Sequence, residues 1–315
     1  MHEKDLYDAR FVRALFDEMA ATYGVMNLVS SFGFAYWWRR QCVRAVRIEP
    51  GGQVVDLMCG MGELFGDLGR AAGTGGAVVG LDLSPVMCRR ARAEAARRQA
   101  CPIRVFEGDA LRSPLADGSA DYVFSTFGLK TFSVTQTARL AAEIARVLRP
   151  GGQFSLLEIS VPGHRALRFA YLAYLEWVIP VLGKLFMGNP DNYRLLGVYT
   201  RAFGSCAGVL PVFRDVGLEV ELRSYFFGCA TGWWGARAGV PRRYGCHRQV
   251  GREEGLRRGA MHVRRAGGGL CGHHCPVAPI ARPSCLRGVP PPMRNAQPQE
   301  IAAKKTRHHT RQMIK

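Results

Sequence analysis

The chain has 315 residues, enough for one large domain or two smaller ones, and its 48% apolar content sustains a globular core. The net charge of +18 is concentrated at one end: 16 of the 43 Lys and Arg residues but only three of the 25 Asp and Glu residues lie beyond Arg237, so the tail carries +13 and the body +5. A nucleic-acid reading therefore attaches to the tail alone.

Residues 8–21 read as an amphipathic helix, with Phe11, Val12, Leu15, Phe16 and Met19 on one face. A break at Tyr23-Gly24-Val25-Met26-Asn27 precedes a second short helix, and Ser31-Phe32-Gly33 is another break. A helix over 35–46 carries Trp37 and Trp38 with the bases Arg39, Arg40 and Arg44. These helices form an N-terminal cap, residues 1–47. Pro50-Gly51-Gly52 turns the chain into Val54-Val55-Asp56-Leu57-Met58, a continuous apolar run that reads as a buried strand. Cys59-Gly60-Met61-Gly62 follows as a glycine turn, and a helical pattern begins near Glu63.

Residues 77–81 form a second strand that ends at Asp82. Ser84 caps a helix over 85–99, with Pro85 at its first position. A third strand over 103–106 leads to Gly108-Asp109-Ala110, and a fourth covers 121–125. A helix over 135–148 is ended by Arg149-Pro150-Gly151-Gly152, and a fifth strand covers 154–158. Strands alternating with helices predict an α/β fold, a mostly parallel sheet flanked by helices.

Residues 166–186 interrupt this rhythm. They are apolar nearly all round, and Pro180 is expected to kink or end the helix. The segment is either a buried core helix or part of an insert, residues 163–205, that covers a site or touches a bilayer surface. Its charges, Arg168, Glu176 and Lys184, together with Pro180, leave no uninterrupted stretch of spanning length. Residues 199–216 return weakly to helix, and 218–227 alternate as two closing strands or a long hairpin. The main domain spans 48–237. Residues 238–315 are rich in Arg, Gly, Pro, Cys and His, lack Asp and hold one aromatic residue, Tyr244. That composition predicts a disordered basic tail.

The ten cysteines show no disulfide framework and read as mostly buried free thiols of a reducing, cytoplasmic compartment. The segment MHEKDLYDAR lacks the apolar core of a secretory signal. In the tail, Cys246, Cys271, Cys275 and Cys285 with neighbouring histidines match no zinc spacing, so no metal is expected.

The chemistry gathers at the carboxyl ends of the strands. Gly60, Gly62 and Gly66 miss the G-x-G-x-x-G spacing of a dinucleotide site. Asp56 repels a pyrophosphate but receives an ammonium group, which points to a cofactor with an amino-acid end. Asp82, 20 residues after Gly62, is placed to bond both ribose hydroxyls. Asp109 is placed to meet an adenine amino group with Ala110, and Ser125-Thr126-Phe127 closes the fourth strand at the same edge. The cofactor expected here is S-adenosylmethionine (SAM), held by Asp56, Gly60, Met61, Gly62, Asp82, Asp109, Ala110 and Thr126.

From residue 11 to 237 the chain resembles class I SAM-dependent methyltransferases, with their Rossmann-like fold, and more narrowly the ubiquinone/menaquinone biosynthesis C-methyltransferase family. The narrower signals are Phe16-Asp17, Tyr23 with Met26-Asn27, Ser31-Phe32-Gly33, Trp38-Arg39 and Phe127-Gly128-Leu129-Lys130. Val55-Asp56-Leu57, Cys59-Gly60-Met61-Gly62, Gly80-Leu81-Asp82-Leu83-Ser84, Gly108-Asp109-Ala110 and the run from Arg146 to Gly152 complete the set. This chain has Met61 where the family usually has Thr, Gly24 where it has Asp, and Lys130-Thr131 where it has Arg-Asn.

The resemblance implies methyl transfer to a ring carbon of a prenylated quinol, a small lipid-like acceptor, by an enzyme with peripheral contact to a membrane. Lys130 and Arg39 are the candidates for stabilising an oxyanion, and Tyr23 and Tyr171 for hydrogen bonding the ring oxygens. Three alternatives stand beside it: another lipid-like or small aromatic acceptor, a SAM-binding module without catalysis, and nucleic-acid binding through the tail, for which only nonspecific electrostatics is expected. The tail is also what out-of-frame translation of GC-rich DNA yields.

Overall fold

The structure, a computed structural model, describes residues 6–98, 100–185 and 189–239, all within the compact unit Met1–Arg248. Its strands are β1 (Gln53–Leu57), β2 (Ala77–Asp82), β3 (Ile103–Glu107), β4 (Ala120–Thr126), β5 (Leu148–Ile159), β6 (Leu218–Tyr225) and β7 (Ala230–Arg237). They form one sheet in the order β3-β2-β1-β4-β5-β7-β6. β1 to β5 pair in parallel, and β7 runs antiparallel between β5 and β6. Strand order reverses between β1 and β4, so a crevice opens beyond the carboxyl ends of these two strands.

The helices are α1 (Ala9–Met19), α2 (Tyr23–Ser30), α3 (Phe34–Arg44), α4 (Phe65–Ala72), α5 (Pro85–Ala96), α6 (Val134–Val147), α7 (Arg165–Ala173), α8 (Ile179–Leu185), α9 (Pro190–Phe203) and α10 (Leu210–Asp215). Local chemistry sets their ends. Asp8 accepts from Arg10 and Phe11 at the start of α1, Ser84 from Met87 at the start of α5, and Ser133 forms a capping box with Gln136 before α6. On one face of the sheet Trp38 and Cys42 of α3 pack with Phe65 and Leu68 of α4; on the other, Leu140 and Ile144 of α6 pack with Phe213 of α10. A third core, Met26 with Leu172, Leu175, Ile179 and Tyr193, lies under the insert.

Three elements differ from the sequence expectation. The break expected at Tyr23–Asn27 is the first turns of α2. The closing strands extend past residue 227, with the hairpin corner at Phe226–Gly228 and β7 in Ala230–Arg237. In the insert, the helix does not end at Pro180. A π-helical segment, Tyr174–Val178, joins α7 to α8. Pro180 lacks the N–H that would bond the Glu176 carbonyl, and the wider turn absorbs the loss. Arg165–Leu185 is thus continuous and, by length and composition alone, long and apolar enough to cross a membrane, although Arg168, Glu176 and Lys184 interrupt its apolar run. It is not a core helix buried all round. Leu172, Leu175 and Ile179 face the third core, while Phe169 is 79% and Trp177 74% exposed. The residues beyond 239, with the expected disorder and the cysteine cluster, lie outside the described residues.

Candidate active site

The glycine turn is held by its own backbone and by two carboxylates. The Cys59 N–H donates to Leu81 O at 3.0 Å and the Gly62 N–H to Cys59 O at 2.9 Å. Gly60 and Gly62 take φ of +56° and +86°, values a side chain disfavours. Asp82 accepts the Gly60 N–H at 2.8 Å with one oxygen and the Ser84 N–H at 2.9 Å with the other. The Met61 N–H donates to Glu63 Oε2 at 3.0 Å, and Glu63 is paired to Arg39 at 3.3 Å. Glu63→Ala removes that acceptor and frees the turn. We expect SAM to bind about fivefold more weakly, the effect of one hydrogen bond of about 1 kcal/mol, in a calorimetric titration.

Two cavities meet beside this turn. The smaller, about 70 Å³, is lined by Gly60, Asp82, Asp109, Ala110 and Thr126, with Val12 and Phe16 of α1 as its roof. Asp109 is oriented by the Leu111 N–H at 2.8 Å. Desolvation pushes Asp82 up to about 6, against the pull of its two backbone donors. Beneath the turn lies Asp56, 1% exposed, with Oδ2 bonded to nothing. Burial raises its pKa well above 3.8, Glu63 and Asp82 adding to the shift and Arg39 opposing it.

The larger cavity, about 420 Å³, runs from Phe127 under the insert. Leu15, Met19, Trp38, Leu167, Leu175 and Leu196 make it apolar. Its roof is tied to the N-terminal helices by tyrosine hydroxyls: Tyr193 to Thr22 Oγ1 at 2.6 Å, Tyr174 to Ser30 O at 2.9 Å, and Tyr199 to Leu6 O at 2.5 Å. Phe16, Tyr23, Phe127 and Thr131 line both cavities.

The four expected catalytic residues fare differently. Tyr23 stands at the junction. Burial and, after it, the charge of Glu63 push its phenol up to about 12, so it remains a proton donor. Tyr171 lines the larger cavity, but its hydroxyl donates to Cys229 O at 3.2 Å. Lys130 Nζ is committed to Glu158 Oε1 at 3.0 Å and to Phe127 O. Arg39 lines neither cavity; its guanidinium lies 4.8 Å from the centre of the Phe127 ring. Of the expected cofactor residues, Asp56, Met61 and Gly62 also line neither cavity. The Met61 side chain turns away, its Sδ 3.9 Å from Arg90 and its methyl 3.2 Å from where a Gly24 Cβ would stand. Glu63 and Glu158 were not among the expected site residues. Glu158 sits near the end of the fifth strand, where the rule that found Asp56 and Asp82 also applies.

The sequence profile of the ubiE/COQ5 methyltransferase family matches residues 3–237. The chain belongs to this family. It is 31% identical over 221 residues to demethylmenaquinone methyltransferases of Bacillus cereus and Bacillus anthracis, an alignment that spans 70% of this chain and 92% of each relative. Among solved structures, a chain of the complex between the Haloferax volcanii Trm112 methyltransferase activator and a methyltransferase superposes with a TM-score of 0.50 at 22% identity, covering 71% of this chain and 97% of that one. The protein is a SAM-dependent methyltransferase with the Rossmann-like fold of its class. Part of the acceptor set suits that cofactor: Asp82 and Asp109 line the smaller cavity, and Asp56 Oδ2, buried outside it, has no hydrogen-bond partner. At about 70 Å³ the smaller cavity is below the roughly 300–1,000 Å³ of ordinary ligand pockets, so as it stands it is too small for the whole cofactor.

Proposed function

We propose that this methyltransferase acts on a ring carbon of a prenylated quinol, as a cytoplasmic enzyme with a lipid-like acceptor. The observation that carries the proposal is the apolar cavity of about 420 Å³ that shares Phe16, Tyr23, Phe127 and Thr131 with the cofactor cavity. A quinol ring at the shared wall would have its isoprenoid chain under the insert, against Leu167, Leu175 and Leu196. The demethylmenaquinone methyltransferases of Bacillus, which this chain resembles, support the same acceptor class.

The bound cofactor supplies an electrophilic methyl group on a sulfonium centre. The chain's residues align the acceptor and exclude water. Phe127 partitions the two cavities and fixes how closely the ring approaches. Its carbonyl is anchored by Lys130, and its N–H donates to Leu157 O at 2.8 Å. Tyr23, protonated at neutral pH, would hydrogen bond a ring oxygen and hold the quinol as its anion, whose charge leaves that oxygen as the ring carbon takes the methyl; the proton on that carbon then departs to solvent. Lys130 and Arg39, each paired to a glutamate, contribute to the field without meeting the ring as free cations.

A second acceptor class, small aromatic or other lipid-like, is favoured by one observation: Lys130-Thr131 at the cavity wall departs from the Arg-Asn of the resembled family. The test is transfer from methyl-labelled SAM to short-chain demethylmenaquinol and to its ubiquinone-pathway counterpart. A carbon-methylated product from either supports the proposal. Turnover of small phenols with none of either quinol overturns it.

A further inference from the structure

The backbone holds exposed aromatic rings at and beside the wall of the larger cavity at some cost. Among the described residues, five that are not glycine have positive φ: Met58 and Phe127 at the cavities, and Phe32, Phe226 and Phe227. The last three are 77%, 47% and 80% exposed. Left-handed backbone is unfavourable for a bulky side chain, and exposure gives these rings no compensating burial within the chain.

The three belong to one rim. Phe32 and Phe226 line the cavity, and the Phe32 ring lies 6.0 Å from that of Tyr174 in the insert. The Phe226 ring lies 4.7 Å from that of Phe34, tilted, and 5.7 Å from that of Phe227, edge-on. The corner at Gly228 packs against Pro162 and Gly163, which lead into α7. Along Arg165–Leu185 four apolar side chains face outward: Phe169 at 79%, Trp177 at 74%, Val181 at 67% and Leu185 at 72% exposure.

Charge decides what covers this rim. Arg165 and Arg168 stand exposed at the start of the stripe, Lys184 at its end and Arg223 beside the hairpin corner. The sole acid of Arg165–Leu185, Glu176, is already paired with Arg201. Exposed aromatic and aliphatic side chains flanked by exposed bases match the interface of an anionic bilayer.

We propose that this rim, Phe32, Phe169, Trp177 and Phe226-Phe227 with their flanking bases, is a docking face for an anionic lipid surface. Docking there opens the larger cavity directly into the bilayer. The inference rests on the prenylated-acceptor proposal for its purpose, and on exposure, strain and charge for its location.

The test uses the full chain sedimented with vesicles of phosphatidylcholine alone or mixed with phosphatidylglycerol. Binding is expected to the mixed vesicles. The triple variant Phe169→Ser, Trp177→Ser, Phe227→Asn is expected to bind them about tenfold more weakly or worse at the same salt. None of the three lines either of the two cavities described above, and Asn accepts the left-handed backbone at 227, so the melting temperature and turnover of a short-chain acceptor in solution should hold. Binding that survives the triple substitution but vanishes in high salt, as the basic tail alone would give, overturns the proposal. So does the absence of vesicle binding, or a stable dimer that buries these rings. The vesicle result is read without turnover, so a failure of the acceptor assignment shows separately in the labelled-methyl assay.

Discussion

Replacing Lys130 by methionine is expected to lower the free energy of unfolding by about 3–5 kcal/mol, the usual cost of removing one partner from a buried ion pair. The side chains of Lys130 and Glu158 are 7% and 0% exposed, with Nζ 3.0 Å from Oε1. Methionine fills much of the lysine's volume but leaves the Glu158 carboxylate with only backbone donors, the N–H groups of Lys130 at 3.0 Å and Ile159 at 2.8 Å. The double variant Lys130→Met, Glu158→Gln removes both charges, keeps a carbonyl acceptor for the backbone donors and should recover part of the loss, a coupling that denaturant titration of the four proteins measures. Function should fall along a particular route. Lys130 also anchors the carbonyl of Phe127, whose φ of +65° is a constrained conformation. With the anchor gone the Phe127 partition loosens, and KM should rise for both substrates. If the single variant stays within about 1 kcal/mol of wild type and loses only kcat, Lys130 meets the reacting ring directly, as the sequence suggested.

That pair illustrates what could be read from the sequence. Lys130 stood out from its motif, but its partner lies 28 positions away on β5, and spacing carries no information about contacts across a sheet. The parallel strands were legible because strands covered on both faces read as continuous apolar runs, as in β1 and the second half of β5. Ser84-Pro85 announced α5 by local chemistry. β7 was obscured by its glycines, and the reason is tertiary. A Cβ on Gly235 would stand 1.7 Å from Glu219 O, and one on Gly232 2.6 Å from Leu156 O, so the strand needs residues that usually argue against a strand. Gly24 misled in the same way. It reads as a break, yet it sits in the first turn of α2 beside the Met61 methyl. The three acids could be singled out because alternating strands and helices put the ends of successive strands at one edge of the sheet. The paths of the Met61 and Arg39 side chains depend on packing between the cap and the glycine turn, which no periodicity encodes.

Asp56→Asn should weaken SAM binding by about 2–3 kcal/mol, or about a hundredfold, without destabilising the empty protein. Asp56 lies at the centre of the sheet, between Gly80 of β2 and Phe124 of β4, and its Oδ2 has no partner. A buried carboxylate without a partner destabilises the chain that carries it, and an ammonium group relieves that cost on binding. The two effects run oppositely with pH. Because the folded pKa of Asp56 is raised above 3.8, the stability it contributes is complete below that value and is lost as pH rises through the folded pKa. Asparagine does not titrate, so the variant's melting temperature should match wild type near pH 4 and exceed it increasingly toward neutrality. Cofactor affinity follows the ionised carboxylate. In the wild type it should rise across the same range, with Asp82, at about 6, adding to the slope. In Asp56→Asn only the Asp82 part should remain. Calorimetric titrations of both proteins from about pH 5 to about pH 8 separate the two carboxylates. Wild-type affinity in the variant at neutral pH would remove Asp56 from the cofactor site and leave its unpartnered oxygen as a cost with no ligand to relieve it.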